Sequence, residues 1–162
     1  MKKIIWILLL LLSLKVNAQI NMQEKPMWCW ASCIQSALGQ ANVVQTQSQI
    51  VSRLTGWPQD RPANINEITY LLKSYNFRSW TVPYPANNVQ LYNTLLSGWK
   101  LIAFVNPTNN PQIGHFIILQ RISNNGLVVV SDPSTGMTYE QNIEQLYYAW
   151  KWSGSVVVGT PY

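Results

Sequence analysis

A change of hydrophobic period at Leu101 restricts the fold of this chain more than any other feature. Upstream of it, apolar residues recur three and four positions apart, the spacing of one face of a helix. Downstream, LIAFV, HFIILQRI and LVVVSD are short apolar or β-branched runs bounded by turn residues, which read as strands. Helical segments first and antiparallel strands afterwards imply an α+β domain, with an N-terminal helical half packed against a C-terminal antiparallel sheet.

The punctuation agrees with that division. A first helix is predicted over Met27 to Leu38, with Gly39 as the residue that ends it and Trp30, Cys33, Ile34, Ala37 and Leu38 facing inward. Thr46 with Gln49 three residues on is a capping box for a second helix, running through Ile50, Val51 and Leu54 to Gly56. GWPQDRPANIN is a loop, and Asn64 with Glu67 opens a third helix through Ile68, Leu71, Leu72 and Tyr75. A strand over Phe77 to Val82 and a short helix over Val89 to Leu96, behind Asn87-Asn88, lead to the sheet. There SNNG reads as a hairpin turn and DPSTG as a second turn. Met137 to Gln141 is expected as a strand, Ile143 to Trp150 as a helix and Ser155 to Thr160 as the last strand.

The first 18 residues stand apart. Lys2 and Lys3 precede an apolar stretch from Ile4 to Leu14, and Val16-Asn17-Ala18 ends in the small residues that signal peptidase requires. That stretch falls short of the roughly 20 residues of a membrane span. The expected organisation is therefore a signal peptide over 1–18 and one domain over 19–162. The product would be secreted or periplasmic, with no stable membrane anchor after cleavage. Removing Lys2, Lys3 and Lys15 lowers the net charge from +5 to +2, and no Lys/Arg cluster remains, which argues against nucleic acid as a partner. Seven tryptophans and eight tyrosines stay in the mature chain, enough to build a large core and the walls of a cleft.

Four residues carry the chemistry. Cys29 stands at a helix start in QEKPMWCWASC, and His115, the sole histidine, opens the GHFIIL strand. Asp132 ends the next strand, and Gln23 lies six residues before the thiol. The thiolate is the nucleophilic form of sulfur. A helix N-terminus and an imidazolium both favour that anion. Placed on helix and strand, Cys29 and His115 would face each other across a cleft. Asp132 would hold one ring nitrogen so that the other meets sulfur. Gln23 could lend an amide donor to an oxyanion, beside the backbone N–H of Cys29. Asp132 could instead simply initiate an Asp-Pro turn. Cys33 follows Cys29 by four, on the same helical face, where its expected role is packing. A regular helix brings such a pair poorly to the Cβ separation of about 3.8 Å that a disulfide wants.

At these residues the chain resembles the papain-like cysteine peptidases. The WCWA core, the GHF step and the D-P turn look most like two bacterial branches, the double-glycine leader peptidases and the avirulence-type effector proteases. The resemblance implies Cys29 as nucleophile, His115 as general base and acid, Asp132 as orienting residue and Gln23 as oxyanion residue. Papain itself has Asn where this chain has Asp132. Trp28 and Gly114, beside the thiol and the imidazole, are the candidate substrate-binding residues. One histidine and two cysteines cannot supply an ordinary four-ligand zinc site, and no metal or cofactor is expected. The function implied is that of an exported endopeptidase forming a thioester, with a protein or peptide substrate. A cognate inhibitor or immunity protein would accompany delivery of such an enzyme into another cell. An amidase or transpeptidase on cell-wall peptides would use the same four residues. A silent papain-like module binding peptide or glycan is the non-enzymatic alternative.

Overall fold

In the computed structural model, which describes residues 20–108, 110 and 114–162, three helices precede any strand. They are α1 (Cys29–Gln40), α2 (Gln47–Thr55) and α3 (Ile65–Ser74). Strand β1 (Phe77–Val82) and helix α4 (Asn88–Leu96) lead into β2 (Lys100–Val105), β3 (His115–Ile122), β4 (Val128–Asp132) and β5 (Met137–Gln141). Helix α5 (Ile143–Tyr148) and strand β6 (Gly154–Pro161) follow. The fold is α+β as the sequence implies; the expected signal segment lies outside the described residues.

The strands form one antiparallel sheet in the order β1-β6-β2-β3-β4-β5. The last strand therefore inserts between the first two, setting Val156 against Thr81 on one side and Ile102 on the other. Alternate residues of β2 and β3 serve two cores. Ile102, Phe116 and Ile118 join the cluster beneath α1, α2 and α3, which contains Trp30, Ile34 and Leu72. Leu101, Ala103, Ile117 and Leu119 face a second cluster closed by Leu91 and Leu95 of α4 and Leu146 of α5. Burial on both faces explains why these strands read as unbroken apolar runs rather than as a polar–apolar alternation. The helices are thus not confined to one side: α4 and α5 add a layer behind the sheet.

Local chemistry sets most element ends. Thr46 and Asn64 make the capping boxes expected with Gln49 and Glu67, and Asn87 makes a third with Gln90. Gly56, Gly126 and the SNNG hairpin also sit where the turn chemistry places them. The first helix departs from expectation. It starts at Cys29 rather than Met27, because Lys25 to Trp28 form a tight turn in which the Trp28 N–H donates to the Lys25 carbonyl at 3.1 Å. It also runs through Gly39. The left-handed residue that ends it is Asn42, at φ 60°, with the Val43 N–H returning to the Leu38 carbonyl. Asparagine tolerates that conformation nearly as glycine does, so the nearer glycine misleads.

Candidate active site

Cys29 is the first residue of α1, and the turn before it is clamped from the loop that follows α2. The Met27 N–H donates to Asp60 Oδ1 at 2.9 Å, Trp28 Nε1 to the Gln59 carbonyl at 2.7 Å, and Trp30 Nε1 to the Arg61 carbonyl at 3.0 Å. GWPQDRP is therefore the brace of the helix start as well as a connection. The N-cap, Trp28, offers no side-chain acceptor, and no acidic residue occupies the first turn. The leading N–H groups of α1 are left without a side-chain cap, an arrangement that attracts an anion.

Trp28 is not where a substrate contact would be. Its ring is 2% exposed and its indole N–H is turned to Gln59, so it belongs to the core and cannot stack on a ligand. A large ring with one polar atom is buried here because that atom finds a partner. The cleft wall beside the thiol is made instead by Met27, 49% exposed, and the edge of Trp30.

His115 opens β3 and Asp132 closes β4. The register runs Ile118 against Ser131 and Leu119 against Val130, with a bulge before Arg121 and Val129. That extra residue in β3 shifts the register by one, so Asp132 falls level with Ile117 and lies diagonal to His115 on the same face, within reach. His115 Nε2 lies 2.7 Å from Asp132 Oδ1, which leaves Nδ1 as the nitrogen available to Cys29, with which His115 shares a cleft. Asp132 Oδ1 further accepts from the Ser134 N–H at 2.8 Å and from its hydroxyl at 2.7 Å. The aspartate therefore both initiates the turn and anchors the imidazole; the two readings of the sequence are one structure. Ser134 was not singled out, although the Asx turn two residues after Asp132 points to it.

The electrostatics follow from this packing. Burial opposes charge on His115, but hydrogen bonds and charges of Asp132 and Cys29 outweigh it and raise its pKa to about 9. For Asp132 burial works upward as well, yet His115 and Ser134 prevail and hold its carboxyl below the usual value. Cys33 is the opposite case. It is wholly buried, its sulfur is 3.5 Å from the Phe116 carbonyl, and burial first, then the charges of Cys29 and Asp132, push its thiol well up. Both thiols are free.

Cys29, His115 and Gln23 share a cleft of about 920 Å³, with Phe104, Phe116 and Pro62 among its walls. No Lys, Arg, Asp or Glu side chain lines it among the described residues. Gln23 Nε2 donates to the carbonyls of Pro26 at 2.7 Å and Lys25 at 3.0 Å, while its Oε1 is buried without a partner. Gly114 also lines the cleft, with a geometric reason to be glycine. A Cβ there would fall 2.0 Å from Cζ of Phe104, a ring already packed 5.0 Å from Phe116. Gly114→Ala should cost about 1–3 kcal/mol of stability as an overpacked site and displace His115. In a Phe104→Ala background the same step should cost less; thermal melts of the four proteins measure the difference.

The profile of the family described as papain-like cysteine protease AvrRpt2 matches residues 12–151. No curated protein matches the chain. Among solved structures, it is similar to the peptidase domain of Streptococcus ComA, a bi-functional ABC transporter. The TM-score is 0.68 at 11% identity, over 89% of this chain and 100% of that one. A double glycine motif protease from an AMS/PCAT transporter, solved with its leader peptide, gives 0.62 at 15% identity, over 87% and 91%. A Bacillus anthracis protein described as C39-like peptidase gives 0.68 at 12% identity, over 89% and 95%. These likenesses establish the fold.

Proposed function

This chain belongs to the papain-like cysteine proteases of the AvrRpt2 family, and on that premise we propose that it is an exported endopeptidase working through a thioester. The observation that carries the reading is the imidazole of His115, held by Asp132 through Nε2 and sharing one cleft with Cys29 at the uncapped start of α1. Sulfur attacks the peptide carbonyl carbon, and the C–S bond forms as charge moves to oxygen. Two donors meet that charge: the backbone N–H of Cys29 and the amide of Gln23. The latter exchanges its longer bond, to Lys25, for the developing oxyanion, since a charged acceptor makes the stronger hydrogen bond. His115 then gives its proton to the departing amine as the C–N bond breaks. It next takes a proton from water, which cleaves the thioester and frees the thiolate.

A largely apolar cleft lined, among the described residues, by no Lys, Arg, Asp or Glu suits peptide residues without charge around the scissile bond. The leader peptide bound by the AMS/PCAT protease supports a peptide as substrate class. Export rests on Lys2, Lys3, the apolar run to Leu14 and Ala18. The test is a proteome digest with the mature protein and with Cys29→Ala, read by mass spectrometry of new termini. New termini confined to the wild type are expected. Identical profiles would remove the peptidase reading.

A further inference from the structure

Gln47, the first residue of α2, is wholly buried, at 0% exposed, where an amide seldom lies without a full set of partners. Its partners are specific. Oε1 accepts the Glu24 N–H at 2.9 Å, and Nε2 donates to the Met22 carbonyl at 2.9 Å and to Gln35 Oε1 at 3.2 Å. Those two backbone groups flank residue 23 on either side. Around them, Ser32 of α1, also fully buried, donates to the Asn21 carbonyl, and the Gln23 N–H donates to the Pro133 carbonyl at 2.9 Å. Residues 21–24 belong to no helix or strand. Side chains of α1 and α2 and the turn that carries Asp132 hold them in place.

From this arrangement we infer that Gln47 is a positioning residue for Gln23, fixing the backbone on both sides so that the amide reaches the carbonyl oxygen above Cys29. The inference rests on the peptidase reading given above. It also accounts for the residue type. One side chain must accept from Glu24 and donate to Met22 at once, which an amide does and a carboxylate cannot. Leucine leaves both backbone groups without that partner. Misplacing a donor by about 1 Å costs on the order of a hundredfold in rate.

The experiment is a double-mutant cycle on the mature protein: wild type, Gln47→Leu, Gln23→Ala and both together. Hydrolysis of a quenched fluorescent peptide, built around a cleavage site mapped in casein, is one measurement. The second is the rate at which iodoacetamide alkylates Cys29, a displacement at a saturated carbon in which no oxyanion develops. Gln47→Leu should lower kcat by about 10- to 100-fold, with KM and the alkylation rate within about twofold of wild type. In the Gln23→Ala background the same substitution should cost no more than about twofold. An equal loss in both backgrounds, or alkylation slowed in parallel, would overturn the inference. Should circular dichroism show Gln47→Leu unfolded, Gln47→Glu, which keeps the acceptor and loses the donor, decides by the same cycle. An active wild type with multiplicative losses sinks the role of Gln47 alone; a wild type that cleaves nothing sinks the peptidase reading and this inference with it.

Discussion

Cys29→Ala will lower peptide hydrolysis by on the order of a millionfold, as removal of the nucleophile of a cooperating set does. Neither Cys33 nor Ser134 can take over the attack. Cys33 is one helical turn further into the core, with its thiol held neutral by burial and its sulfur against the Phe116 carbonyl. The Ser134 hydroxyl is committed to Asp132. Alanine continues the start of α1 without strain, because it is the best helix former and only the sulfur is lost. The variant should therefore keep the helical circular dichroism and a melting temperature near that of wild type. Labelling by iodoacetamide at neutral pH should vanish with it. A well-folded Cys29→Ala protein that cleaves as fast as wild type would end the case for sulfur chemistry.

His115→Ala should cost nearly as much, because groups that act as a unit lose most of their effect when any one goes. Its pH dependence makes the test sharper. Burial alone would strip the proton from His115, but Asp132 and Cys29 overcome it and place the pKa at about 9, above 6.5. An imidazolium is the species that protonates the leaving amine, so kcat/KM should fall as pH rises through about 9. Asp132→Asn keeps an acceptor for Nε2 and removes the charge, so the alkaline limb should move to lower pH. The same linkage governs stability. The raised pKa of His115 contributes stability present in full below pH 6.5 and lost as pH rises through about 9. The lowered pKa of Asp132 contributes stability present above about 3.8 and lost as pH falls below it. Melting temperatures of wild type and His115→Ala should therefore differ most between those limits and converge at high pH. An alkaline limb that stays in place in Asp132→Asn would refute the pairing as the source of the shift.

Much of the helical half was legible because its signals are local. Thr46 with Gln49 and Asn64 with Glu67 satisfy helix N–H groups within one turn of chain, and no distant residue is needed to make them work. The strand runs were equally plain, since residues such as Ile117 and Ile118 are apolar on both faces. Misreadings came where a distant partner decided. Gly39 looked like the end of α1 until Asn42 took the left-handed position. Trp28 looked like a surface for substrate until the Gln59 carbonyl, 31 residues on, claimed its N–H. GWPQDRPANIN read only as a loop, yet Asp60 within it holds the turn that starts the helix.

The sequence by itself determined the α+β division, the residue types able to do acyl transfer and the elements that carry Cys29 and His115, all of which depend on spacing along the chain. Only the tertiary structure decided which strand lies beside which, that a bulge sets His115 diagonal to Asp132, and that Gln47 reaches both sides of Gln23. Those contacts join residues far apart in the chain. Their energies depend on packing and on removal from water, and neither is written in the order of neighbouring residues.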